Sequence, residues 1–268
     1  MQKTIFITGA SSGLGKAAAK LFVAKGWHVI ATMRNPHNET ELTKMKNVTV
    51  VSMDVTLTDQ IESVISDVLE NYNVDVVLNN AGYGLIGPLE SFSAEQIQKQ
   101  IATNLSGVIN VTKSFLSHFR NRQAGTFINI TSTFGLVGYP TCSIYNATKF
   151  AVDGFSEGIA YELAQFDIKV KIVAPGGMQT DFTGRSMASG THNAYRRLID
   201  KVSEGYSEEQ IANYTKAEDV AQIIYNAATD GTNQLRYIAG HDAIALYKDR
   251  IESTPEVQFQ KIRYQFVF

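Results

Sequence analysis

The segment Thr4-Ile5-Phe6-Ile7-Thr8-Gly9-Ala10-Ser11-Ser12-Gly13-Leu14-Gly15 carries the most structural information of any stretch in this chain. A β-branched run, Ile5–Thr8, ends at a glycine, and a Ser/Gly-rich turn follows. Leu14, Ala17, Ala18, Leu21 and Phe22 then make one apolar helical stripe. Strand, glycine turn and helix in that order open a βα unit. Glycine lets the chain leave the strand sharply and lets the backbone come close to an anion. The next helix adds free N–H groups and the positive end of its dipole. The spacing is G-x-x-x-G-x-G, through Gly9, Gly13 and Gly15. Plain turn chemistry is the alternative. A position at the first βα turn favours a nucleotide pyrophosphate, cradled by Gly9, Ser11, Ser12, Gly13, Leu14 and Gly15.

Outward from that turn the βα rhythm repeats. β-Branched runs recur at His28–Thr32, Val48–Met53, Val74–Leu78, Thr126–Thr131 and Val170–Ala174. Between them lie helical patterns: the stripe Ile61, Val64, Ile65, Val68 and Leu69, and the longer segments Ile101–Arg122 and Tyr145–Phe166. Apolar strands alternating with helices predict a doubly wound, Rossmann-type parallel α/β sheet of about seven strands, covered on both faces. No linker or repeat divides residues 1–268, so a single domain is expected. The rhythm breaks over about 177–215, which reads as a substrate lid or, alternatively, a surface excursion, before a helix at Ala217–Ala228. A C-terminal tail covers about 243–268 and is aromatic at Phe259, Tyr264, Phe266 and Phe268.

Composition narrows the class. The 268 residues are 44% apolar and 19% charged with net charge −2, so neither disorder, nucleic acid nor an anionic membrane is suggested. One cysteine, Cys142, forms no internal disulfide and fits a reducing compartment. His28, His37, His118, His192 and His241 have no metal-ligand spacing, so no metal is expected. The apolar run after Lys3 stops at Gly9, too short for a signal peptide, and no stretch reaches the roughly 18 apolar residues of a spanning helix. The expected location is cytoplasmic.

Three further features carry chemistry. After the second strand, Ala31-Thr32-Met33-Arg34 has no carboxylate for a ribose 2′-hydroxyl, whereas Arg34 offers a fork suited to a 2′-phosphate, or is a solvated loop residue. That favours NADP(H) over NAD(H). Tyr145 and Lys149 stand at i and i+4 on one helix face, where an ammonium and a positive nicotinamide ring would favour phenolate; chance spacing, with Tyr145 as half-buried packing, is the alternative. Ser132 closes the strand run Ile128-Asn129-Ile130-Thr131, at the sheet edge where ligands gather in such folds; a strand-end cap is its plainer reading.

Taken together, Thr8–Gly15, Asp54-Val55, Asn79-Asn80-Ala81-Gly82, Asn104, Ser132, Tyr145/Lys149, Pro175-Gly176 and Thr180 resemble the short-chain dehydrogenase/reductase family over about residues 3–185. The resemblance implies that Tyr145 exchanges a proton with the substrate oxygen, Ser132 polarises that oxygen, and Lys149 holds the nicotinamide ribose and lowers the Tyr145 pKa. It implies that Asn104 continues a proton relay, Asp54 and Val55 frame the adenine, and Asn80-Ala81-Gly82 line the adenosine. Thr180 would bind the carboxamide, and Pro175, Gly176 and Met178 would also bind the cofactor. Helix-start or turn chemistry remains the alternative for Asp54, as does a strand-end turn for Asn79 and Asn80.

The expected partner is a small carbonyl or alcohol. The expected rim, Tyr83, Phe134, Leu136, Val137, Tyr139, Cys142, Met178 and Phe182, suggests an aliphatic, aromatic or steroid-like molecule, although such residues also build ordinary cores. Cys142 reads as a filler, not a nucleophile. The small residues Ala147, Ala151, Gly154 and Gly158 allow close helix approach, in a homodimer or homotetramer or against the sheet. A catalytically idle NADP sensor and a nucleotide-sugar epimerase are the rival readings. The full Asn104–Ser132–Tyr145–Lys149 set disfavours the first, and the glycine spacing and missing second domain the second.

Overall fold

Strand β1 (Thr4–Thr8) runs through the middle of the molecule with every residue buried. Its two faces seed separate cores. Ile5 and Ile7 pack on one side with Ala18, Phe22 and Ile224; Phe6 packs on the other with Ile61, Phe115 and Phe127. A strand with no solvated face needs helices above and below, which is why the run is apolar throughout.

The computed structural model describes residues 2–180 and 186–266. After β1 come α1 (Gly13–Ala24), β2 (His28–Met33), β3 (Val48–Ser52), α2 (Thr58–Asn71), β4 (Val76–Asn79) and the short β5 (Gly84–Ile86). Then follow α3 (Ala94–Ile101), α4 (Gly107–Arg122), β6 (Gly125–Ile130), α5 (Ser143–Leu163) and β7 (Ile168–Pro175). The last part holds β8 (Met178–Gln179), β9 (Met187–Ser189), α6 (Arg196–Ser203), α7 (Glu208–Ala212), β10 (Thr215–Lys216), α8 (Ala217–Thr229), β11 (Arg236–Ala239), α9 (His241–Glu252) and α10 (Pro255–Phe266). Seven parallel strands lie in the order β11-β7-β6-β4-β1-β2-β3. Chain direction reverses across the sheet at β1, so a crevice opens between the carboxyl ends of β1 and β4. The architecture is the single-domain Rossmann-type α/β fold expected from the sequence.

Local differences have local causes. The helix expected from Ile101 begins earlier, at Ala94, because Ser93 and Gln96 form a reciprocal capping box. It is then interrupted by one π-helical turn, Ala102–Ser106, before α4 continues to Arg122. The tail is two helices, α9 and α10. The insertion is no bare loop either. Its first arm pairs β9 with β5, and its return pairs β10 with β8. Among the described residues no helix is long and apolar enough to cross a membrane.

Candidate active site

The glycine loop leaves β1 with Gly9 at φ +68° and Gly13 at φ +52°, conformations that glycine adopts without strain. Gly15 has a steric reason of its own: a Cβ there would lie 2.3 Å from the Gly9 carbonyl oxygen and 2.5 Å from Asn80 Nδ2. The loop is braced from β4. Asn80 Nδ2 donates to the carbonyls of Thr8 (2.9 Å) and Gly9 (3.0 Å). Thr8 Oγ1 accepts from the amides of Asn80 and Ala81, both at 3.0 Å. Asn80 and Ala81 thus hold the loop open as well as lining it. Ser12 stands at the N-cap of α1 without capping it, and no acid occupies the first turn. The helix N-terminus therefore keeps donors for an anion. A cleft beside it is lined by Gly13, Lys16, Gln179, Thr180, Glu208 and Ile211. Backbone glycines, a helix end without a side-chain cap and a neighbouring cleft fit a dinucleotide pyrophosphate.

Other expected cofactor residues divide by where their side chains go. Arg34 ends β2 exposed, and its charge is felt at Tyr83. The side chains of Leu14 and Val55 are buried in the cores, and Met178 packs against one of them while partly exposed. Asp54 Oδ1 accepts from Thr56 N (2.9 Å) and Thr56 Oγ1 (2.8 Å), a local turn like the alternative weighed from the sequence. Gly82 is confined, since a Cβ would sit 3.2 Å from Asn104 Oδ1 and 3.7 Å from Lys149 Nζ. Ser11 is exposed on the loop. Thr180 stands over the glycine loop, with its Cβ 3.8 Å from a Cβ built on Gly13. Gly176 follows Pro175 at the end of β7, hydrogen-bonded to Ala239 O at 2.9 Å.

The chemical groups converge between β6 and α5. Ser132 is near enough to the Tyr145 hydroxyl to favour its ionised form. Lys149 lies 5.7 Å from the Tyr145 ring centre and donates to the Ile130 carbonyl at 2.8 Å. Asn104, inside the π-helical turn, donates to Tyr83 O (2.8 Å) and Thr148 Oγ1 (3.3 Å) and accepts from Tyr83 N (3.0 Å). Single π turns of this kind gather at functional sites.

Electrostatics in this pocket run against the expected direction. Burial pushes the Tyr145 phenol up to about 12, with Ser132 opposing. Burial also depresses the Lys149 ammonium to about 8. Desolvation is the first cause in both, against the Ser132 contribution at Tyr145 and alone at Lys149. Cys142 is fully buried and its thiol is raised to about 12, which suits a filler and not a nucleophile.

Aromatic side chains named from the sequence gather around Tyr145, and Tyr206, Tyr214 and Asp242, which the sequence reading missed, join them. Phe134 stacks on Tyr139 (4.8 Å) and meets Tyr145 edge-on (6.4 Å). Phe266, from α10, closes on Tyr139 at 5.3 Å. From the insertion, Tyr206 and Tyr214 both face this cluster. Tyr214 donates to Gly205 O at 2.8 Å, and its ring leaves Gly177 no room for a side chain. Asp242 Oδ2 accepts from Gly177 N at 2.7 Å, tying α9 to the loop after β7. The only sequence signal was lone aromatics in a polar stretch. Phe182 and Phe268 lie outside the described residues, and Val137 is core.

Comparison with known proteins agrees with this geometry. The short chain dehydrogenase family model matches residues 3–189. An uncharacterised oxidoreductase of Schizosaccharomyces pombe is 35% identical over 263 residues, 94% of this chain and 87% of its own. A 3-ketodihydrosphingosine reductase of Bacteroides thetaiotaomicron is 40% identical over 179 residues, 67% of this chain and 65% of its own. The solved structure of ElxO with NADP bound superposes with a TM-score of 0.72 at 30% identity, covering 89% of this chain and 96% of that one. With a braced glycine loop, a serine–tyrosine–lysine cluster at the carboxyl edge of the sheet and these relatives, the chain belongs to the short-chain dehydrogenase family of oxidoreductases.

Proposed function

We propose that this protein is an NADP(H)-dependent oxidoreductase that interconverts a carbonyl and an alcohol, with Tyr145 as its acid/base. The observation that carries this reading is the buried Ser132–Tyr145–Lys149 cluster beside the braced glycine loop. Ser132 orients and polarises the substrate oxygen, and Tyr145 gives or takes its proton. The bound cofactor supplies or accepts the hydride. Lys149 is within one helical turn of Tyr145 and would leave the Ile130 carbonyl for the nicotinamide ribose. Asn104 fixes the backbone at Tyr83 next to this cluster. A phenol raised to about 12 is protonated at neutral pH, the form that donates to a carbonyl being reduced.

Arg34 supports NADP(H) over NAD(H), because its guanidinium is exposed at the end of β2 with no acid beside it to take up a 2′-hydroxyl. The substrate is an apolar ketone, aldehyde or hydroxysteroid-like alcohol, in keeping with Phe134, Tyr139, Cys142 and Phe266 around Tyr145. One relative is named a 3-ketodihydrosphingosine reductase, whose reacting group is a ketone. Residues 177–215 act as the lid and the tail helix α10 as a wall. A homodimer or homotetramer is proposed from α5, where Gly154 and Gly158 have no atom within 4 Å of a built Cβ and are flanked by exposed Phe150 and Tyr161. The location proposed is cytoplasmic, in keeping with one free cysteine.

The test is NADPH and NADH oxidation over a panel of aldehydes and ketones, with Tyr145→Phe alongside. NADPH-dependent turnover should fall by about two to four orders of magnitude in the variant while NADPH binding stays within about twofold. A variant with near-normal rate would overturn the acid/base assignment.

A further inference from the structure

Gln100 lies in the last turn of α3, four residues before Asn104 in the π-helical turn, and its side chain is fully buried. Its Nε2 donates to the Tyr83 carbonyl at 2.8 Å, the same oxygen that takes Asn104 Nδ2 at 2.8 Å. Asn104 Nδ2 also reaches Thr148 Oγ1 at 3.3 Å, and Thr148 passes its own hydrogen to the Tyr145 carbonyl at 2.9 Å. A continuous buried path thus runs from α3, through Tyr83 and the π turn, to the turn of α5 that bears Tyr145 and Lys149. Gly82, next to Tyr83, closes the same space: a Cβ there would lie 3.2 Å from Asn104 Oδ1 and 3.7 Å from Lys149 Nζ.

Two features set this path apart from ordinary packing. Gln100 Oε1 is buried with no hydrogen-bond partner among the described residues. An unpaired buried amide oxygen is costly, and a leucine of similar size would fill the position without that cost. Turning the amide over would set oxygen against the Tyr83 oxygen, so its one working end is the N–H on Tyr83. Thr148 uses its hydroxyl fully, accepting from Asn104 and donating to Tyr145 O. Valine has the same shape and can do neither; serine can do both.

Resting on the oxidoreductase reading above, we propose that Gln100 and Thr148 are positioning residues for the reaction, acting through Asn104 on the Tyr145–Lys149 turn. Gln100 holds the Tyr83 carbonyl, Asn104 spans from it to Thr148, and Thr148 fixes the turn on which the acid/base stands. A displacement of about 1 Å at reacting groups can cost on the order of a hundredfold in rate, so this path bears on kcat more than on binding.

The variants are Thr148→Val, Thr148→Ser, Gln100→Leu and the double variant Gln100→Leu/Thr148→Val, each checked by a thermal melt. With NADPH and a medium-chain methyl ketone, Thr148→Val should lower kcat about tenfold and Gln100→Leu about fivefold, while KM and the Kd for NADPH stay within about twofold. Thr148→Ser should keep kcat within about twofold of wild type. The double variant should fall no more than about twofold below Thr148→Val, because both changes cut one path. Losses that multiply, an impaired Thr148→Ser, or a lower melting temperature with unchanged kcat each overturn the proposal. Amide hydrogen exchange of the protein without cofactor is the second readout. Gln100→Leu should speed exchange at residues 145–152, and Thr148→Val at residues 100–107, each at the far end of the path. Unchanged exchange at the far end overturns the proposal. Failure of the underlying reading looks different: the exchange coupling is present, yet wild type consumes no NADPH with any carbonyl and Tyr145→Phe changes nothing.

Discussion

At the glycine loop, Gly15 has no space for one more carbon, and Asn80 and Thr8 hold the backbone with four hydrogen bonds of about 3 Å. Across the same crevice the insertion is tied down at its two ends by short strand pairings, β9 with β5 and β10 with β8, and between them by single side-chain bonds, Tyr214 on Gly205 and Gln179 on Ala212 and Tyr214. The loop is braced on its backbone at every turn, and Gly9 and Gly15 admit no side chain. Between those two pairings the insertion can change its lining side chains without changing the frame. That contrast suits a common cofactor read by the first region and a variable substrate read by the second.

The strongest way to break the contrast is Gly15→Ala. The new methyl overlaps Gly9 O at 2.3 Å, so the loop must shift. Overpacking strain of about 3 kcal/mol corresponds to roughly a hundredfold weaker NADPH binding. A fluorescence titration giving the wild-type Kd would mean the cradle is softer than its contacts imply.

Arg34→Ala should weaken NADPH by about ten- to a hundredfold, the scale of charge-assisted bonds, and NADH by no more than about threefold. Equal losses for both would remove Arg34 as the reader of the 2′-phosphate.

Smaller effects are expected on the insertion side. Tyr214→Phe deletes one hydrogen bond, to Gly205, and should raise the substrate KM about fivefold while the Kd for NADPH stays put. A matching loss in both would show the two regions to be one mechanical unit.

The smallest effect lies in stability against pH. Lys149 has its folded pKa near 8, below the ordinary lysine value of 10.5. Between those values the unfolded chain binds the extra proton, so the Lys149 contribution to stability rises with pH. Melting temperatures of wild type and Lys149→Met, followed from pH 7 to about 10.5, should shift relative to each other in favour of wild type. Parallel curves would place the titration elsewhere.

The sequence by itself determined whatever depends on neighbours in the chain. Ile5–Thr8 followed by Gly9, Gly13 and Gly15 specified strand, turn and helix, because glycine positions and apolar periodicity act over a few residues. Tyr145 and Lys149 could be paired on one face for the same reason. The tertiary structure alone decided the rest. Ser93 and Gln96 start α3, but that the chain then makes a π turn around Asn104 is visible only in the packed helix. Tyr206 and Tyr214 come from a polar stretch with no periodicity, and only the pairings of β9 with β5 and β10 with β8 show where that stretch is anchored. The outward face of Gly154 and Gly158 depends on how α5 is rotated against β7. The upward shift of the Tyr145 phenol depends on burial by residues far away in the chain. Desolvation is a sum over spatial neighbours, and no local pattern encodes that sum.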